Sequence, residues 1–167
     1  MPRQLSCARG VPQGMEAAQA PLREAAGTSE QRQFDFWLGE WDLSWGDGAT
    51  ATSSIYLDFD GHVIVESFDG RPSLELQGTS LSTYDPVAGR WRQTWVDNQG
   101  SHYEFAGGFR AGEMELRTET EVLGRPVLLR MRWFNIRVDA LDWAWERSDD
   151  GGRSWTPLWE VAYSRVL

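Results

Sequence analysis

From Trp41 to the C-terminus, apolar residues recur at every second position, and no stretch there keeps a helical period for long. In EMELRTETEV, Met114, Leu116, Thr118 and Thr120 alternate with Glu115, Arg117, Glu119 and Glu121. VLLRMRWF sets Leu129, Met131 and Trp133 against Arg130 and Arg132, and LDWAWE sets Leu141, Trp143 and Trp145 against Asp142, Ala144 and Glu146. Alternation of this kind belongs to a strand with one face on a core and the other in water. Trp41, Leu43 and Trp45 begin the series, Ile55, Leu57 and Phe59 continue it, and turn signals such as Asp60-Gly61 and Asp85 to Gly89 punctuate it. The pattern predicts about ten strands. Connections this short force neighbouring strands to run antiparallel. A twisted meander of that size removes its sticky edges by closing on itself. The expected fold is all-β, an antiparallel up-and-down β-barrel of about ten strands. A two-sheet sandwich is the alternative.

Ahead of the first strand the period is helical. Phe34, Trp37 and Leu38 share a face, Thr28 or Ser29 can cap, and Gln31 follows Thr28 at capping-box spacing. Gly39 stops the element. The expectation is one short N-terminal helix that plugs or flanks an end of the barrel. Residues 1–28, rich in Ala, Gln, Gly and Pro and without a period, are expected to form a disordered tail, and residues 29–167 the barrel domain.

A chain of 167 residues suits one domain with a real core. A net charge of −9 leaves no cationic footprint for nucleic acid or an anionic membrane surface. The sole cysteine, Cys7, permits neither an internal disulfide nor a Cys-based metal site. No apolar run reaches transmembrane length, and the N-terminus lacks the apolar core of a secretory signal, so the cytoplasm is the expected compartment. A homodimer is compatible with the sequence.

The stretch SDDGGRSW fits the Asp-box pattern Ser-x-Asp-x-Gly-x-Ser-Trp through Ser148, Asp150, Gly152, Ser154 and Trp155. An Asp side chain can accept turn N–H groups, Gly supplies positive φ, and Trp folds under the loop. A calcium loop needs six to eight oxygen ligands, more than this stretch can offer alone. It reads as a hairpin clasp. Together with FDFWLGEWDLSW, which carries Gly39-x-Trp41, with GRWRQTWVDNQG, and with the Tyr163-x-Arg165 ending, it resembles an uncharacterised bacterial lipocalin-like (calycin-type) β-barrel domain family. The resemblance spans roughly residues 33 to 166. That family is related at fold level to nitrobindins and fatty-acid-binding proteins, and it implies a barrel with no settled activity. Nitrobindins ligate haem through a His near the C-terminus, whereas the histidines here are His62 and His102, so no haem or other cofactor is expected.

Ten Trp, seven Phe and four Tyr must be buried or must line something. Taking the apolar face of each strand as inward nominates Trp41, Trp91, Trp95, Tyr103 and Phe105 as ligand-binding, with Met131, Trp133, Trp143 and Trp145. Gln93 shares their phase. An apolar cavity with a few convergent polar groups is the usual form of a small-molecule pocket. Glu66 and Asp97 are the candidate catalytic pair, since a carboxylate desolvated beside rings can serve as general acid or base. His102 alternates with Tyr103 and Phe105, which puts it outside. The charged residues opposite the apolar faces of 113–121 and 128–134 are expected to be a solvated ion-paired face. Gly107-Gly108 reads as a bulge, and a Gly-x-Ser-x-Gly nucleophile elbow is absent. The leading functional expectation is binding of a small hydrophobic or aromatic molecule among the tryptophans. A cofactor-independent cyclase or isomerase using Glu66 or Asp97, and a scaffold whose tail is the active part, are the alternatives.

Overall fold

The computed structural model describes residues 29–166, so the expected tail over 1–28, and Thr28 as a cap, lie outside the described residues. Ten antiparallel strands follow one another in chain order: β1 (Gly39–Trp45), β2 (Ala49–Asp58), β3 (Val63–Asp69), β4 (Gln77–Asp85) and β5 (Arg90–Asp97) form the first half. The second half is β6 (His102–Arg110), β7 (Glu113–Val122), β8 (Arg125–Phe134), β9 (Ala140–Ser148) and β10 (Thr156–Arg165). Each pairs with its sequence neighbours, and β1 pairs with β10 to close the barrel, with Trp41 opposite Arg165 and Leu43 opposite Tyr163. Closure rules out the sandwich and leaves no edge strand among the described residues. The phase read from sequence holds: Met114, Leu116, Met131 and Trp133 are buried inside. Such a closed ten-stranded barrel is consistent with a lipocalin-like fold.

The short N-terminal helix is present as two successive 3-10 turns, Glu30–Arg32 and Asp35–Trp37. The capping box expected of Thr28 and Gln31 involves a residue outside the described range, and Ser29 does not cap the element. Ser29 is itself helical in backbone angle, and its hydroxyl donates to Glu30 rather than to a backbone N–H. The turns plug one end of the barrel. Phe34 is fully buried and packs on Trp37, Trp91 and Trp133 with ring centroids 4.9–5.4 Å apart. Those three indoles are the ones whose buried N–H finds no acceptor among the described residues. They exchange that bond for dense ring packing. Arg165 fastens the plug: its guanidinium lies over Trp41 and donates to the carbonyls of Phe36, Leu38 and Val138 at 3.0, 2.5 and 2.7 Å.

One expectation is corrected. Gly107 and Gly108 sit in a regular ladder, paired with Leu116 and Glu115, so there is no bulge. Gly107 is needed because a Cβ there would stand 1.9 Å from the Glu115 carbonyl oxygen, a close backbone approach that only glycine allows. The register shift falls instead in β10, between Pro157 and Trp159, and turns Trp159 inward. The outer charged face carries the expected cross-strand ion pairs, and Arg117, Glu119 and Glu121 are exposed. Arg130 bridges Glu115 and Glu146 at 2.9 and 2.6 Å, Arg132 bridges Glu113 and Glu146 at 3.0 Å each, and Trp155 covers Arg130 at 4.0 Å. Glu146 is left only 8% exposed.

The Asp-box forms the β9–β10 hairpin as its residue types require. Asp150 accepts the Arg153 and Ser154 backbone N–H groups at 2.9 Å each and the Ser154 and Ser148 hydroxyls. Gly151 and Gly152 take the positive φ. The Ser154 bonds lead in holding the Asp150 carboxyl well below the usual range.

Candidate functional site

The plug occupies the end where β1 begins and β10 finishes. Toward the opposite end, the interior holds a cavity of about 210 Å³. Its inner part is made by Trp37, Met131, Trp133 and Tyr163, and its sides by Leu43, Phe105, Trp143 and Val161. Trp95, Tyr103, Trp145 and Trp159 stand near the far turns and keep partial exposure, with Leu76 from the β3–β4 loop beside them. The rings brace one another: Trp145 meets Tyr103 and Phe105 at 5.7 and 5.6 Å, and Trp159 meets Trp143 at 5.6 Å, all edge to face. Trp95 lies against the backbone of β4, where Gly78 makes room. A Cβ at Gly78 would fall 2.2 Å from the indole.

The polar groups converge on one wall. Glu66, 6% exposed on β3, accepts the Ser53 hydroxyl of β2 at 3.1 Å and the Ser80 hydroxyl of β4 at 2.8 Å, one on each oxygen. The register explains the contacts, since Glu66 lies directly opposite Ser80 and Ser53 is one inward position from Ile55, which faces Glu66 across the β2–β3 ladder. Burial outweighs these two bonds and pushes the Glu66 carboxyl up to about 7. Tyr163 of β10 is held well above the ordinary tyrosine value, first by burial and then by the Glu66 charge. Gln93 of β5 donates to Ser82 of β4 at 2.8 Å. A layer of inward hydroxyls on β2 and β4 therefore partners both long polar side chains.

Of the residues nominated from sequence, Gln93, Trp95, Tyr103, Phe105, Met131, Trp133, Trp143 and Trp145 line the cavity, together with Glu66. Trp41 and Trp91 do not line it. They are buried at the plugged end, Trp41 donating to the Trp37 carbonyl at 2.8 Å and Trp91 packed between Phe34 and Tyr84. Asp97 is not brought to Glu66 either. Its carboxylate accepts the Trp95 indole N–H at 2.9 Å and the Gln99 and Ser101 backbone N–H groups at 3.0 Å. Partial burial works to raise its pKa, but the bonds, led by that from Trp95, bring it below the usual range. Asp97 is a turn cap that fixes Trp95. His62 and His102 are both exposed on the outside. Among the described residues, no group of His, Cys, Asp or Glu is arranged to hold a metal ion, and no helix is long and apolar enough to cross a membrane. Trp37, Leu43, Phe68, Leu76, Trp159, Val161 and Tyr163 complete the lining, with Ser53, Ser80 and Ser82 behind the polar wall.

No protein-family model matches the chain, and no curated protein matches it.

Proposed function

We propose that the barrel binds a small hydrophobic or aromatic molecule in its tryptophan-lined cavity. One observation carries this reading: about 210 Å³ of space bounded mainly by indole, phenyl and phenol rings, with Glu66, Gln93 and Tyr163 as its polar points. An apolar cavity of about 150 Å³ suffices for benzene, so this one suits a molecule of one or two rings and is too small for a long acyl chain. Intrinsic tryptophan emission, titrated with small aromatic compounds and with a long-chain fatty acid, tests it. The small compounds should shift the emission saturably and the fatty acid should not. If only the fatty acid acts, the size argument is wrong.

A second reading, a cofactor-independent isomerase or cyclase, is favoured by the buried Glu66 carboxyl held at about 7, close to the value a general acid or base needs at neutral pH. Asp97 offers it no support, being tied up in its turn. Retention of turnover by Glu66→Gln would remove this reading.

A further inference from the structure

We propose that the ligand of this cavity is a small aromatic amine, bound as its ammonium with Glu66 as the counter-ion. The inference rests on the binding reading above and names the chemistry of its ligand. Among the described residues Glu66 is the only ionisable carboxylate in the lining, and no arginine contributes to it. A buried carboxylate needs either a proton or an opposite charge beside it. Its neighbours supply neither. Ser53, Ser80 and Tyr163, from β2, β4 and β10, are the polar groups that bear on it, and all three are neutral hydroxyls.

The acceptor count fits an ammonium. A carboxylate offers about four lone-pair sites, and the two serines use one on each oxygen. Two sites and the Tyr163 hydroxyl oxygen remain, and a primary ammonium has three N–H bonds to place. The rings around the cavity add to this, because aromatic faces attract a desolvated cation. The space accepts one ring with a short aminoalkyl arm. A carboxylate ligand would meet Glu66 charge to charge, and an alcohol can donate only a single bond.

Calorimetric titration of the full chain with phenethylamine, phenethyl alcohol and phenylacetate tests the inference. At pH 8 the amine should bind roughly thirtyfold or more tightly than the alcohol, and Glu66→Gln should erase that preference while alcohol binding persists. From pH 8 to pH 6 wild-type affinity for the amine should fall about tenfold, because the ammonium must displace the Glu66 proton. Tyr163 keeps its proton throughout that range. The pH series needs no variant and decides the matter if Glu66→Gln does not fold. Alcohol or phenylacetate binding as tightly as the amine, or an amine affinity indifferent to pH, overturns the inference and leaves the cavity reading standing. Silence from all three probes overturns both.

Discussion

Glu66 makes a stability prediction that can be worked from the structure. Its carboxyl titrates at about 7 in the barrel against an ordinary value of 4.5, with burial as the leading cause. Between those values the folded protein holds a proton that the unfolded chain has released, so stability must fall as pH rises across the interval. Below 4.5 both states are protonated and the full stability is present. Above 7 both are ionised and the loss is complete. The whole difference is about 3 kcal/mol, of which about 2.5 kcal/mol lies between pH 5 and pH 8. Glu66→Gln keeps a side chain that can bond to Ser53 and Ser80 but cannot ionise. Urea unfolding of both proteins at the two pH values, followed by tryptophan emission, isolates the effect, because every other titrating group is common to the pair. Wild type should lose roughly 1 M more in its urea midpoint than the variant does on going from pH 5 to pH 8. Parallel pH profiles would refute the reasoning, since they would mean that the Glu66 carboxylate is hydrated rather than buried.

Three further outcomes follow from the packing. Gly107→Ala should destabilise the barrel by about 3 kcal/mol, whereas Gly108→Ala, whose added methyl meets nothing within 4 Å, should stay within about 0.5 kcal/mol of wild type in the same urea titration. Phe34→Ala, which empties the centre of the plug, should cost about 3–5 kcal/mol in that assay. Asp150→Ala should lower the thermal midpoint by loosening the β9–β10 hairpin, while small-molecule titrations of the cavity stay unchanged.

Much of the barrel was legible because alternation reports which face of a strand is buried. Alternation does not report height along the barrel axis, and the site expectations went astray there. Trp41 and Trp91 have the same inward phase as Trp95 and Trp133, yet they sit against the plug and not against the cavity. Asp97 has the inward phase too, but the turn that follows captures it. The hydroxyl layer was hidden for a different reason. In β4 the polarity is reversed: Ser80 and Ser82 point in and are fully buried, while Leu81 points out and is 49% exposed. A hydrophobic pattern reads that strand backwards, and only the partners of Glu66 and Gln93 reveal why. Trp159 shares the inward phase of Val161 and Tyr163, and the shift after Pro157 separates it only from Trp155 and Pro157 before it. The short helix was placed correctly, but capping chemistry alone could not tell one helix from two 3-10 turns pinned by Phe34 and Trp37.

This barrel holds an apolar, ligand-sized space beneath its tryptophans. Diffraction from crystals of the protein under xenon pressure tests it without assuming any ligand, because xenon occupies empty apolar cavities of this size. An ordered xenon peak bounded by Phe105, Trp133, Trp143 and Val161 is expected. A xenon-free interior, with side chains or ordered water filling that space, would contradict it.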